Sequence, residues 1–426
     1  MASRLTGRRS TTAAGIYLSA LLGFLATVVA ARLLGVDEFA LFAIVVAAVG
    51  LLQTLLDLTV EEALTKYGFR FVTAEEWGKL RRLFSRALLL KLAGAVLAGL
   101  ALLALAPFAD ALFDADGLAA PLAIAALLPL VQAPEGPAAT ALLLRGRYDV
   151  RGGLLALSMA LRLAGIAVGA SIGVTEAVAG MVLGQVAATA CVAVAGLVAF
   201  RRFPAAPEQP LAAESRDLRS FVLQSSLATG VVSLRTSLAP LLLGLVSPTV
   251  QVGYFRAALV PQQAFGTLSA PVRMILLTEQ TRDWEQGRRE RVFAGVRRYS
   301  AGAAAVTAVL LVPLLWLMPD LIRIVFGAEF VAATDAARLV LLAAVLQFVF
   351  GWTKSFPVTI GRPNLRVATH GLETLVLVPL TLVLGAAWGA TGAAAALLVA
   401  TVVFAAAWTL LFARVRRGRL PVPLPQ

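Results

Sequence analysis

The chain has 426 residues, of which 59% are hydrophobic and only 14% are charged, and its mean hydropathy is +0.86. A water-soluble domain cannot build a polar surface from this composition, so a soluble globular protein is excluded and a polytopic membrane protein is predicted. The net charge of +13 would suggest nucleic-acid binding in a soluble chain. In a membrane protein the basic residues have to be assigned to the two membrane faces first.

Twelve apolar runs are long enough to cross a bilayer, which takes roughly 20 residues. In chain order they lie at about residues 12–33, 39–60, 83–106, 118–144, 152–174, 177–200, 218–246, 250–277, 297–318, 332–359, 367–387 and 390–413. The first run follows Arg8 and Arg9, as in a signal peptide, but its length favours a retained helix. We therefore predict an all-α integral membrane protein with about 12 transmembrane helices.

The charged residues alternate between the two sides of this predicted bundle. Most of the 37 basic residues lie in connections on one side, for example Arg81, Arg82 and Arg289, whereas Asp37 and Asp320 lie on the other. By the positive-inside rule, both termini are cytoplasmic. The high charge is thus explained by topology and predicts no nucleic-acid partner. The preference for Ala, and for Arg over Lys, indicates a bacterial protein, and hence the bacterial cytoplasmic (inner) membrane.

The chain is predicted to consist of two six-helix lobes. The N-lobe covers residues 1–200, a Pro-containing cytoplasmic linker 201–217, the C-lobe 218–413, and a cytoplasmic tail 414–426. At one constant offset, five residues of the first half match five of the second: Gln132, Gly136, Gly146, Arg147 and Arg151 fall on Gln347, Gly351, Gly361, Arg362 and Arg366. Parallel repeats of this kind are typical of secondary transporters, whose substrate site lies between the lobes.

Four stretches, taken in order, resemble a known family. They are residues 31–42 (ARLLGVDEFALF) followed by Asp57 and Leu58, residues 252–258 (VGYFRAA), residues 326–330 (FGAEF) and residues 361–363 (GRP). This series resembles the polysaccharide biosynthesis proteins, the oligosaccharide and O-antigen flippases of the multidrug/oligosaccharidyl-lipid/polysaccharide (MOP) exporter superfamily. Two positions depart from the family: Thr59 replaces a frequent glycine, and Ala239 and Pro240 stand where many members carry an acid just before the apolar run of helix 7. An ion-coupling role for that acid is therefore not carried over.

The resemblance implies a transporter, not an enzyme. Such a protein would move a polyprenyl-pyrophosphate-linked oligosaccharide from the cytoplasmic to the outer leaflet by alternating access, for cell-surface polysaccharide export. Its partners would be the lipid bilayer, the lipid-linked oligosaccharide and polysaccharide assembly proteins. No cofactor and no metal are expected.

Four basic residues lie inside the predicted spans of the second half. A charge at mid-membrane costs about 2.5 to 3.5 kcal/mol, and a pyrophosphate needs cations in place of its water, so these residues are candidates for binding the headgroup. They are Arg235, Arg256, Arg273 and Lys354. A polar helix contact, or snorkelling of the side chain to the membrane surface, is the alternative.

Four acids are candidates for gating or ion coupling. Asp57 or Glu61 is predicted to pair with Arg273 and so to close the cytoplasmic side, although Glu61 can also be a wet helix end. Glu135 lies among the Pro and Gly interruptions of helix 4 and Glu373 lies in helix 11; each can be a proton or cation site, or a neutral structural acid.

Two other functions remain open. One is export of another cargo by the same superfamily, either a peptidoglycan lipid precursor or a drug in exchange for a cation. The other, less favoured, is a membrane-embedded glycosyltransferase or ligase that would use Asp37 and Glu38. The chain has no Gly-x-x-x-x-Gly-Lys-Ser/Thr motif and is therefore not expected to hydrolyse ATP by that route.

Overall fold

The structure is a computed structural model that describes residues 2–56, 59–211, 214–268, 276, 279–284, 286–362 and 364–418. These residues are mostly helical and include no β-strand, so the predicted all-α fold is confirmed. The chain forms two compact units, Met1–Ser233 and Leu234–Gln426. The predicted division at residues 200, 217 and 413 stays a prediction.

The first unit contains the helices of the first half and the start of the next. They are α1 (Ala2–Leu56), α2 (Val60–Thr73), α3 (Trp77–Phe113), α4 (Ala119–Ala125), α5 (Leu127–Gln132), α6 (Glu135–Leu144), α7 (Tyr148–Ala170), α8 (Val174–Arg201) and α9 (Ser215–Val246). Helix α1 contains the two predicted N-terminal helices, which meet at Gly35, where the backbone is not helical.

Glycines let α7 and α8 pack at close range. A Cβ atom on Gly165 or on Gly180 would collide with the backbone oxygen of the other residue. Gly169 and Gly184 follow one turn later and also approach the facing backbone. Each helix thus carries a Gly-x-x-x-Gly pattern, which allows helices in membranes to come close enough for backbone contact.

The segment between α8 and α9 lies against the start of α3. Phe203 and Leu211 are buried, Lys79 Nζ lies 2.9 Å from Glu214 Oε1, and Arg82 lies 2.8 Å from Glu208. The predicted linker is therefore docked on the first unit, although its three prolines indicated only a connection.

The second unit contains the remaining helices. They are α10 (Thr249–Ala258), α11 (Val260–Leu268), α12 (Arg289–Val325), α13 (Thr334–Val349), α14 (Phe356–Thr359) and α15 (Asn364–Arg416). Helix α13 packs against α11, α12 and α15. Helix α15 contains the two predicted C-terminal helices, which meet at Trp388 and Gly389.

The predicted interruption of helix 4 is present, and its repeat partner, helix 10, is interrupted as well. Helix 4 is divided into α4, α5 and α6, and helix 10 into α13, the 3-10 turn Gly351–Lys354 and α14. Predicted helix 2 is also divided: α1 ends at Leu56, and Glu61 lies in the first turn of α2. Seven helices of the described residues are long and apolar enough to cross a membrane. Since two of them each contain two predicted helices, the total of twelve stays a prediction.

The turns after α6 and α14 support the predicted internal repeat. Gly146 and Gly361 both have a left-handed backbone, with φ 68° and 69°. In both turns the backbone N–H of the residue after the glycine donates a hydrogen bond to the carbonyl oxygen five residues earlier. Arg147 N–H donates to Leu142 O at 2.9 Å, and Arg362 N–H donates to Pro357 O at 2.8 Å. These are matching Schellman-type helix ends at positions that the sequence comparison had paired.

Candidate functional site

A polar cavity of about 340 Å³ lies inside the first unit. The helices that form it are the end of α1, the start of α2, α3 and the broken helix 4. Its lining residues are Gln53, Thr54, Thr59, Glu61, Lys91, Pro129, Gln132, Ala133, Glu135 and Gly136. The break in helix 4 at Ala133 and Pro134 lies at this cavity, and irregular backbone at membrane depth is tolerated where it lines a cavity.

An ion pair forms one wall of the cavity. Lys91, buried on α3, places Nζ 2.8 Å from Glu61 Oε1. Glu61 lies in the first turn of α2, where the helix dipole favours a negative charge. Gly136 lies directly against this carboxylate, because a Cβ atom at residue 136 would force the flexible end of the Glu61 side chain to move.

A chain of three glutamines leads from the cavity wall to Glu135. Gln53 donates to Gln132 at 2.8 Å, and Gln132 donates to Gln185 at 3.1 Å. Gln185, on α8, is 2% exposed and donates to Glu135 Oε2 and to Thr189 Oγ1, both at 2.9 Å. Side chains from α1, α5, α6 and α8 are thus linked in one hydrogen-bonded network that ends on a carboxylate.

Arg162 on α7 interacts electrostatically with Glu135. Its Nε atom is buried and has no hydrogen-bond partner within the described part of the chain. An intramembrane arginine next to an intramembrane acid is a functional-site candidate by default, because both charges are expensive in hydrocarbon.

The sequence analysis did not select Lys91, Gln185 or Arg162. Arg162 lies in the middle of a predicted span, so the rule that selected Arg235 would also have found it. Lys91 also lies well inside its predicted span, 83–106, and the same rule would have found it. Gln185 carries no charge and gave no signal.

The predicted gate is only partly described. Asp57 and Arg273 lie outside the described residues, whereas Glu61 is paired with Lys91, a partner that was not predicted. The pairing of Asp57 or Glu61 with Arg273 therefore stays a prediction.

The predicted headgroup cations lie in several elements of the second unit. Arg256 is half-buried on α10, and Lys354 is half-buried in the 3-10 turn Gly351–Lys354. Arg235 belongs to α9, and its side chain lies outside the described part, as does the whole of Arg273. A common binding role for these four residues stays a prediction.

The second unit repeats part of the glutamine network. Gln262 donates to Gln347 at 3.0 Å, and Gln347 donates to Thr401 at 3.2 Å. Gln347 is the residue that the internal repeat pairs with Gln132, so the two halves share a central glutamine with the same pattern of donation.

Glu373 is fully buried and has a titratable neighbour on the same helix. Its Oε2 lies 3.1 Å from His370 Nδ1, and the His370 ring stacks on Phe404 with 5.0 Å between the centroids. His370 is itself buried, with only 7% of the residue exposed. Whether Glu373 takes part in ion coupling stays a prediction.

Comparison with known proteins identifies the family and the fold. A protein-family model described as polysaccharide biosynthesis protein matches residues 9–274. A search of curated proteins finds no match.

Three solved structures share the fold. The lipid II flippase MurJ in an inward closed conformation has a TM-score of 0.69 at 12% identity, covering 96% of this chain and 88% of that one. An inward-facing multidrug resistance MATE family transporter of the MOP superfamily has a TM-score of 0.65 at 15% identity, with 93% and 96% covered. A MOP superfamily transporter from Pyrococcus furiosus has a TM-score of 0.58 at 13% identity, with 97% and 96% covered.

At these identities the three structures establish the fold, and the apolar helices make the chain a multi-pass membrane protein. The family match extends over more than half of the residues, from the first helix to the region after α11. The chain therefore belongs to the polysaccharide biosynthesis protein family and has the MOP transporter fold.

Proposed function

We propose that this protein is a flippase that carries a polyprenyl-pyrophosphate-linked oligosaccharide from the cytoplasmic to the outer leaflet by alternating access, for export of a surface polysaccharide. The observation that carries this proposal is the polar network of the first unit, in a chain of this family. Glu61, Lys91, Glu135 and Arg162 are four charged residues in one unit of a membrane protein. Their cost in hydrocarbon is hard to explain in a protein that only spans the bilayer.

The polar cavity suits an ion better than the headgroup. Its volume of about 340 Å³ is at the low end for small-ligand pockets, and an oligosaccharide is larger than the ligands that such pockets hold. We therefore assign the headgroup to the cations of the second half, Arg235, Arg256, Arg273 and Lys354, and the coupling ion to the acids of the first.

Glu135 is the acid best suited to ion coupling. It accepts from Gln185 and interacts electrostatically with Arg162. A proton taken up there would leave the Arg162 charge without its counter-charge, and the glutamine network would have to rearrange. An ion gradient can thus bias the conformation of the first unit, which is what coupled transport needs.

The same proposal includes the orientation and location of the protein. Both termini would face the cytoplasm across the bacterial inner membrane, because the arginine-rich connections lie on that side. A pyrophosphate group that enters from the cytoplasm would also meet these arginines first.

The cargo can be tested in the source organism by deleting the gene and analysing its lipid extract. We expect polyprenyl-pyrophosphate-linked oligosaccharide to accumulate, and wild-type protein to reverse the accumulation. Glu135→Gln should fail to reverse it, whereas Asp335→Asn, which neutralises an exposed acid of the second unit, should succeed. Accumulation of a peptidoglycan lipid precursor instead would assign the other superfamily cargo, and accumulation of neither lipid would contradict a flippase role.

A further inference from the structure

A second cavity, of about 440 Å³, lies between α3 and the start of α9 and shares no lining residue with the polar cavity. We call it the α3–α9 groove. Its lining residues are Arg86, Leu89, Leu90, Ser215, Leu218, Arg219, Val222 and Leu223. All of them belong to the first unit.

The two helices present their arginines at nearly the same depth. The ion pair of Lys79 with Glu214 joins the start of α3 to the residue just before α9, so the two helices begin side by side. Along the helix axis, Arg86 lies about 10 Å beyond Lys79, and Arg219 lies about 7 Å beyond Glu214. Both arginines therefore lie at the same end of the groove.

The rest of the groove is apolar and opens outward. Leu89, Leu90 and Leu223 are 65%, 43% and 57% exposed, whereas Val222 is buried beneath them. In a multi-pass membrane protein, exposed leucines of this kind face lipid chains. A groove in such a surface is filled by hydrocarbon, because a void would forfeit the contacts of its lining.

The charges of the groove select the kind of lipid. The lining has two arginines and no carboxylate. Glu208, in the lining of a neighbouring apolar cavity of about 550 Å³, pairs with Arg82 and has only a weaker electrostatic interaction with Arg86. Basic pockets between transmembrane helices at the cytoplasmic side bind anionic lipid headgroups.

We propose that the α3–α9 groove is a binding site for an anionic glycerophospholipid. The phosphate lies between Arg86 and Arg219, and one acyl chain lies along Leu89, Leu90, Val222 and Leu223. The groove contains none of the residues to which we assign the cargo, and the proposal holds for any cargo.

The proposal is tested with delipidated full-length protein by native mass spectrometry, using phosphatidylglycerol and phosphatidylcholine with identical chains. We expect phosphatidylglycerol to bind roughly 30-fold more tightly, because each arginine near the headgroups contributes roughly five-fold. Arg86→Gln/Arg219→Gln should abolish this preference. Arg202→Gln/Arg216→Gln, which removes two exposed arginines from the same end of the unit, should retain it.

Two further measurements distinguish a bound lipid from other ligands of the groove. An excess of sn-glycerol 3-phosphate should not displace phosphatidylglycerol, because the acyl chain supplies part of the affinity. Leu223→Trp should weaken binding by filling the groove while both arginines remain. Equal binding of the two lipids, equal loss in both arginine pairs, or displacement by sn-glycerol 3-phosphate would overturn the proposal.

Discussion

Lys91 and Glu61 form the best-defined charge pair of the polar cavity, with 2.8 Å between Nζ and Oε1. Side-chain exposures of 10% for Lys91 and 34% for Glu61 place the pair between a buried and a surface salt bridge. Loss of one partner from such a pair is costly mainly because the other charge is left unpaired.

Lys91→Met should therefore destabilise the protein more than Lys91→Met/Glu61→Gln. The single variant leaves a partly buried carboxylate without its cation and should cost about 1.5 to 3 kcal/mol, the usual contribution of a hydrogen bond to a charged group. The double variant removes both charges and should recover most of the loss. The melting temperatures of the two variants in detergent measure this difference. Equal destabilisation of both variants would show that Lys91 and Glu61 do not stabilise each other.

Glu75 has a left-handed backbone, with φ 56°, in the turn before α3. Gly287 has φ 70° in the corresponding turn before α12. A left-handed conformation costs a non-glycine residue roughly 1 to 2 kcal/mol. Replacing that residue by glycine removes this strain, but glycine loses more conformational entropy on folding, which offsets up to roughly 1 kcal/mol of the gain.

We expect Glu75→Gly to raise the melting temperature slightly and Gly287→Ala to lower it. The reason is that only the glycine can adopt this backbone without strain. A decrease in both variants would mean that the Glu75 side chain matters more than its backbone.

At the residue scale, the sequence predicted some of the site and missed the rest. Glu61 and Glu135 were selected because acids are expensive in a membrane and lie next to proline and glycine. The partners of Lys91 and Gln185 were missed because they depend on which helices pack together. No periodicity within α3 or α8 contains that information.

Among the elements, the α7–α8 pair depends most directly on single residues. Its Gly-x-x-x-Gly patterns let the two backbones approach. Gly165→Ala should separate the helices and cost about 1 to 3 kcal/mol, because its Cβ atom would collide with the backbone of Gly180. Gly153→Ala is the matched control on α7, because nothing lies within 4 Å of its Cβ position. Thermal unfolding of both variants tests the packing; an equal effect would contradict it.

The docked linker should respond to pH. Hydrogen bonds from Ser85 and Arg82 lower the pKa of Glu208, and one from Lys79 lowers the pKa of Glu214. A carboxyl whose pKa is lowered by folding stabilises the docked form at neutral pH, and this contribution is lost as protonation sets in below about pH 4.

A spin label at Ala205→Cys, in a Cys191→Ala background, reports linker mobility. We expect it to be immobilised at pH 7 and to become mobile on acidification. In Glu208→Gln/Glu214→Gln it should be mobile already at pH 7. A label whose mobility stays constant with pH would exclude control of docking by these carboxyls.

At the element scale, helix breaks were easier to predict than helix partners. Pro134 and Gly136 mark the break in helix 4, and Gly351 and Pro357 mark that in helix 10. The separate helix α2 was missed because it is short and amphipathic: its charged residues ended the apolar run at residue 60, and its buried residues recur only on one face. Trp284 and Trp352 are both 3% exposed and belong to an aromatic cluster with Trp408, a packing that the sequence did not predict.

At the scale of the whole molecule, composition and the repeat determine most of what could be foreseen. Apolar content excluded a soluble fold, and the matched residues around Gly146 and Gly361 correspond to matched turns. The number of membrane crossings is harder to predict from the sequence, because at Gly35 and at Gly389 two predicted helices follow each other without an intervening loop. The cargo depends on side chains that differ within one fold, and fold alone does not determine it.

The most direct test of the proposed function is flipping of a fluorescent polyprenyl-pyrophosphate oligosaccharide in proteoliposomes. We predict that wild-type protein and Arg202→Ala/Arg216→Ala flip it, and that Arg235→Ala/Arg256→Ala is slower by about 100-fold, as expected for two lost contacts to a charged group. Absence of flipping by wild-type protein across several glycan headgroups would contradict the account. Undiminished flipping by Arg235→Ala/Arg256→Ala would contradict the assignment of the phosphate site.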